Sequence, residues 1–180
     1  MLGVRHAARQ ARATALRPAQ QIFARSYMDS IDLTNKLKDI DNTEDCLKFY
    51  HAHAGMDLGL LERTFRVAGR VTLKNDFKVL TDDARFCRMV SQLSQNLTDA
   101  DSKMLVMLTG ALLKFRTICR FTPLLQEFGA KVSEVILSRS RGFNPKQLAA
   151  ISNSMSQLGT FGALAESQPK LVEEKNNKFV

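Results

Sequence analysis

Between Thr98 and Thr160 the chain carries the same apolar spacing twice, and this restricts what it can fold into more than any other feature. Leu105, Leu108, Leu112 and Phe115 are spaced three, four and three residues apart, which places them on one face of a helix. Leu148, Ile151, Met155 and Leu158 repeat that spacing 43 residues later. A second helix type recurs independently, because Phe128, Val132 and Val135 match Phe86, Val90 and Leu93 at an offset of 42. With less fidelity, Asp57 and Leu61 precede Asp101 and Leu105 by 44. A lone helix pair cannot bury its apolar face, so about two and a half stacked pairs are expected to share one core. The expected class is all-α, a short right-handed solenoid or bundle of stacked antiparallel helix pairs. A plain helical bundle with accidental periodicity is the alternative.

The helix boundaries follow from caps. Ile31, Leu33, Leu37 and Ile40 suggest a short helix, and Asn42 or Thr43 can cap a second one that runs to Ala54 and stops at Gly55. Leu58 to Val71 reads as a helix with Leu61, Phe65, Ala68 and Val71 inward. Thr72 to Leu80 reads as a loop with room for an extra turn, and Thr81 followed by Asp82 and Asp83 as the cap of the next helix. Thr98 with Asp101 three residues on resembles a capping box. The helix that follows has Met104, Met107 and Ala111 beside its leucine stripe, so it is expected to be the most buried of all. Thr122-Pro123 and Asn144-Pro145 open two more, the second stopping at Gly159 or Gly162.

The formal charge of +8 is unevenly placed. Residues 1–27 contain Arg5, Arg9, Arg12, Arg17 and Arg25 and no acid, the composition of a mitochondrial presequence. Within it, Arg25-Ser26-Tyr27 resembles the arginine-minus-two processing site of the matrix peptidase, with Tyr27 left for a second trimming step. A basic arm for RNA or anionic lipid, or a plain tail, is the other reading of this stretch. Residues 28–56 are acidic and modest in apolar content, as expected of a cap on a repeat stack. Residues 57–162 form the repeat domain, and 163–180 a tail or docking segment.

Several chemistries lack their residues. Cys46, Cys87 and Cys119 are about forty residues apart, so neither a zinc knuckle nor a redox pair is suggested, and a reducing compartment fits. His51 and His53 near Cys46 and Asp57 invite a metal reading, but residues two apart on a helix point away from each other, and a polar helix end explains them as well. No apolar run reaches the ~18–20 residues of a membrane span. No phosphate loop, nucleophile elbow or metal-binding helix signature is present. The chain is therefore expected to be non-enzymatic, with no cofactor, no metal and no small-molecule substrate.

The charge of the repeat body is the remaining signal. From Leu58 to Lys146 there are fifteen basic residues against eight acidic ones. Arg63, Arg66, Arg70 and Lys74 are spaced as a basic stripe along one helix, and Arg116 with Arg120 marks a helix junction. These six are the candidate contacts to RNA or an acidic partner, against the reading of a solvated charged face. Trp is absent and Tyr occurs twice, so backbone contacts to structured RNA suit this chain better than base stacking.

The helices Asp101 to Phe115 and Asn144 to Leu158 begin at Asp or Asn, pass through Leu and a small residue, and close on Phe or Leu-Gly. In this they resemble the helical repeats of mitochondrial octotricopeptide, heptatricopeptide and FAST-kinase-like proteins, over roughly residues 57–162 and without a terminal RAP domain. The resemblance implies organellar RNA binding or service in a mitochondrial ribonucleoprotein. The expected function is a non-catalytic subunit of such a particle in the mitochondrial matrix, a lineage-specific mitoribosomal protein touching rRNA backbone and neighbouring proteins. Two other readings stand beside it. One is a soluble accessory subunit of a respiratory-chain or ATP synthase complex, peripheral to the inner membrane and held by protein contacts. The other is a matrix assembly factor that leaves after its task.

Overall fold

A computed structural model describes residues 31–118 and 122–159, and within them the chain is all-helical. The processing residues Arg25, Ser26 and Tyr27, the junction residue Arg120, the third cysteine Cys119 and the tail lie outside the described residues. The chain divides into two compact units, Met1–Lys36 and Leu37–Val180. Of the first, residues 31–36 are described and are helical, as part of a helix α1 over 31–38. The second unit contains α2 (Thr43–Ala52), α3 (Leu58–Val71), α4 (Phe77–Asp82), α5 (Ala84–Gln95), α6 (Ser102–Ile118), α7 (Pro123–Ser138) and α8 (Pro145–Leu158).

Packing follows the sequence repeat. Helices α3, α6 and α8 lie side by side as one row, and α2, α5 and α7 as a second row. Contacts of α3 with α2 and α5, and of α6 with α7, join the rows. Stacking of like on like also sets the register of the polar bonds. The Tyr50 hydroxyl donates to Gln92 Oε1 at 2.7 Å, across 42 residues. Ser102 Oγ donates to the Gly142 carbonyl at 3.3 Å, across 40. Arg139 Nη1 donates to the Ala100 carbonyl at 2.8 Å, across 39, and Nη2 to that of Thr98. Neighbouring units are thus bonded to each other across 39 to 42 residues, close to the offsets of 42 to 44 that the apolar residues show.

Aromatic rings tie the rows together. Phe65 of α3 stands 5.0 Å from Phe115 of α6, 5.5 Å from Phe128 of α7 and 6.1 Å from Phe86 of α5, ring centre to ring centre. Phe77 of α4 adds to the same group at 6.3 Å from Phe115. The Phe115 ring packs onto the backbone of α3 at Gly69, where a Cβ would lie 3.2 Å from the ring. The stripe residues Leu105, Leu108, Leu112, Ile151, Met155 and Leu158 are all buried. Buried hydroxyls are satisfied locally: Thr64, Thr72 and Ser133 each donate to the carbonyl four residues back. The outer side of α8 is polar, with Asn153, Ser156 and Gln157 exposed, as suits the end of a stack.

Three boundaries and one exposure differ from expectation. Thr81 is inside α4, where its hydroxyl donates to the Lys78 carbonyl, and Asp83 caps α5 by accepting from the Arg85 amide at 2.7 Å. The cause is Phe77 with Leu80, both buried, which give the connection a helix of its own. The cap of α6 is Asp101, whose carboxylate accepts from the Met104 amide at 2.6 Å, while Thr98 belongs to a 3₁₀ turn over Leu97–Asp99. Helix α2 ends at Ala52 with His53 as its cap, ahead of Gly55. Met107 is 36% exposed, because α6 is covered by its neighbours on either side but not along its outer edge. Asn144 caps α8 as read, in a reciprocal box with Gln147, and Gly159 ends that helix at φ 73°, whereas Thr122 stands at the cap position ahead of Pro123 but its hydroxyl makes no cap bond.

Candidate nucleic-acid interface

The five candidate contacts among the described residues do not form one surface. In α3, Arg63 and Arg70 are the exposed positions among the described residues, and being seven apart they share one edge of the helix. Arg66 lies between them, partly exposed, and is held by contacts within the fold. Its Nε is 2.6 Å from Oε1 of Glu62, whose side chain is only 6% exposed, and Nη1 reaches the Met107 sulfur at 3.7 Å. Neither Glu62 Oε1 nor Arg66 Nε makes an aligned hydrogen bond, so proximity of charge rather than direction holds the pair. Burial raises the Glu62 carboxyl above its ordinary value, and Arg66 and Arg63 only partly offset that.

Arg70 is exposed, yet its Nη2 donates to the carbonyls of Ile40 at 2.9 Å and Lys38 at 3.4 Å. Lys74 is beyond the end of α3, in the exposed turn before α4, so the fourth position of the stripe is off the helix. Arg116 donates to the Leu158 carbonyl and thereby closes the end of α8, one repeat on. Arg66, Arg70 and Arg116 therefore have structural partners inside the fold.

The packing reveals other basic groups that the sequence reading passed over. Lys103 and Lys114 are exposed on the outer edge of α6, with Met107 between them, and Lys146 is exposed on α8. Lys103 and Lys146 are 43 residues apart, and Arg70 and Lys114 are 44 apart, so they occupy matching positions on adjacent helices. The signal was present in the repeat offset, had it been applied to polar as well as apolar positions. Among the described residues, every exposed charge within α3, α6 and α8 is basic: Arg63, Arg70, Lys103, Lys114 and Lys146 recur on one side, and Arg116 lies two residues from Lys114 on another; the exposed carboxylates of the row are the caps Asp57 and Asp101 at the starts of α3 and α6. Glu62, the one acid within these three helices, is buried.

The second row differs. Its exposed charges are Lys48, Arg88 and Lys131 against Glu44, Asp45, Glu127 and Glu134. Several of these pair locally: Lys48 lies 3.6 Å from Asp45 and 3.9 Å from Glu44, and Lys131 lies 3.2 Å from Glu127. Arg85 donates to Asp83 at 2.7 Å and to Glu44 at 2.8 Å, which joins the starts of α2 and α5. Its guanidinium holds both carboxyls below their ordinary range.

Other chemistry-bearing groups are spoken for. The buried Cys46 thiol donates to the Thr64 carbonyl at 3.5 Å, and burial pushes it up to about 12. His53 packs its ring on Phe49 at 4.7 Å, and among the described residues no three His, Cys, Asp or Glu side chains come together as a metal site. A partly open hollow of about 240 Å³ between the α2–α3 turn and the end of α5 is lined by Ala54, Met56, Leu58, Leu61, Gln92, Gln95 and Asn96, none of them ionisable. Among the described residues no helix is long and apolar enough to cross a membrane. No protein-family model, curated protein or solved structure matches the chain.

Proposed function

We propose that the chain is a non-catalytic helical-repeat subunit of a mitochondrial ribonucleoprotein, a mitoribosomal protein that touches rRNA backbone and neighbouring proteins in the matrix. The observation that carries this reading is the first helix row, in which every exposed charge within the three adjacent helices is a cation among the described residues, with carboxylates exposed at the helix-start caps Asp57 and Asp101. Such a surface attracts phosphates and gains from the counterions they release. The presequence-like composition of residues 1–27 supports the mitochondrial address. Ribonuclease treatment of fractionated mitochondria tests it: the protein is expected to co-migrate with ribosomal particles that the nuclease collapses. Co-migration with inner-membrane complexes that ignore the nuclease would overturn it.

That second outcome is the signature of an accessory subunit held by protein contacts alone. The features that favour it are Leu73 and Val79, which stand 69% and 70% exposed around α4. Exposed large apolar side chains of this kind suit a protein interface.

A further inference from the structure

We propose that the solvent side of the α3–α6–α8 row is the RNA-docking surface, and that it grips the phosphates of double-helical RNA rather than unpaired bases. This rests on the ribonucleoprotein reading above and assigns it a face and a nucleic-acid form.

Three observations carry the assignment. The first is placement, since Lys103, Lys114 and Lys146 are exposed on adjacent helices at positions related by the repeat, with Arg63 on the same side of α3. Adjacent helices lie roughly 8–10 Å apart. Lys103 and Lys114 are separated by eleven residues. That is roughly 16 Å along the helix axis. The charges therefore spread over a patch two helices wide or more, which suits phosphates on both sides of a duplex groove better than a single strand lying in a channel.

The second observation is the sign of the field. A charge beside opposite charges is largely cancelled, as Lys48 and Lys131 are in the second row, whereas among the described residues every exposed charge within α3, α6 and α8 is a cation and the exposed carboxylates Asp57 and Asp101 stand at the starts of α3 and α6. The third is what the surface lacks. Single-stranded RNA is held by stacking bases on aromatic side chains. Phe65, Phe77, Phe86, Phe115 and Phe128 are all buried in the core, and the described residues of this face expose no aromatic ring. Met107 is the only large apolar side chain exposed there among the described residues, too little to enter a lipid layer.

The test compares two triple variants of the full chain with equal change of charge. In the first row these are Lys103→Glu, Lys114→Glu and Lys146→Glu, and in the second Lys48→Glu, Arg88→Glu and Lys131→Glu. Binding to a 20-base-pair RNA duplex of mixed sequence, and to one of its single strands, is read by fluorescence anisotropy between 50 and 200 mM KCl, with thermal unfolding to show that each variant folds. The first-row variant is expected to lose about 100-fold or more in duplex affinity. Its slope of log affinity against log salt should fall by about three, one for each lysine. The second-row variant should lose less than about tenfold, and the wild-type chain should prefer duplex to single strand. The arginines of residues 1–27 add equally to all forms and cancel in the comparison.

Equal losses in both variants, a preference for the single strand, or no duplex binding by the wild type would each overturn the assignment. So would binding to vesicles of phosphatidylcholine with 20% cardiolipin that the first-row variant loses while RNA binding stays. The ribonuclease fractionation decides the ribonucleoprotein reading separately, so the particle can be right and the face wrong.

Discussion

The two helix rows are built on one apolar period and present opposite surfaces. Inward, both obey the same rule, since Phe86 and Phe128 of the second row and Leu105 and Ile151 of the first are all enclosed. Outward, the exposed charges within the first row's described helices are all cations, with acids only at the caps Asp57 and Asp101, and the second is a balanced surface whose charges pair within or between its own helices. Burial in a stack constrains only the side that faces a neighbour. The exposed side is open to selection for something else, and in this chain it differs between rows. That contrast makes the first row the better candidate for a partner of opposite charge.

Phe115→Ala should have the largest effect, and it tests whether the rows share one core. The ring contacts Phe65, Phe77 and Phe86 and lies against Gly69, so its removal leaves a cavity where both rows meet. A loss of about 3–5 kcal/mol is expected from urea unfolding. Amide exchange should accelerate in both rows together. Unchanged protection in α7 would mean that the rows are stabilised separately.

Next in size is Arg139→Ala. Arg139 follows α7 in the second row and donates to the Ala100 and Thr98 carbonyls just before α6 in the first. Both acceptors then turn to water, so the expected loss is about 1–2 kcal/mol in the urea midpoint. Arg139→Lys should recover part of it, because an ammonium reaches one carbonyl where the guanidinium fork reaches two. Full recovery by lysine would show that charge, not geometry, joins the rows at this point.

These examples also show which features could be read from the sequence. The inward positions could, because a helix buried on one face must repeat its apolar residues, and Leu105 to Phe115 do so without interruption. Caps at Asn42, Asn144 and Gly159 could, because each has a local mechanism. Helix α4 could not, since Phe77 and Leu80 are too few to display a period. Thr98 and Asp101 are both competent caps, and sequence does not rank two such residues three apart. The candidate site was half legible. Arg63 and Arg70 were found as one edge of one helix and Glu62 with Arg66 have the spacing of a local i,i+4 pair, but no local rule says that the long side chain of Arg116 finds its partner one repeat on. Lys103, Lys114 and Lys146 each look isolated until adjacent helices bring them into line.

Glu62→Gln probes the one acid within the helices of the basic row. Its carboxylate is 6% exposed while its partner Arg66 is 40% exposed, so the arginine can rehydrate when the acid is neutralised. The usual penalty for orphaning a buried charge therefore does not apply, and the variant is expected to gain roughly 1 kcal/mol or less at pH 7. The sign depends on pH. A carboxyl raised by burial favours the fold most below its unfolded value, and that contribution fades as the pH rises through the folded value. The advantage of the variant should therefore shrink steadily as urea midpoints are taken from pH 7.5 down to 4.5. A variant less stable than the wild type at pH 7 would show that the Arg66 contact outweighs desolvation.

Glu127→Gln makes the same change in the second row and should do the least. Glu127 and Lys131 are 70% and 49% exposed and one helical turn apart, 3.2 Å between charged atoms. Both ions keep most of their water, so neutralising the acid forfeits only a screened attraction, about 0.3–0.5 kcal/mol. The loss should vanish in ~1 M salt, where screening acts within a few ångströms. The gain from Glu62→Gln should survive that salt, because it comes from desolvation and no mobile ion reaches the group. One substitution, two rows, opposite signs and opposite responses to salt together form the sharpest measure of how differently the rows treat charge. If both variants lose stability alike and both losses disappear in salt, Glu62 behaves as a solvated surface acid.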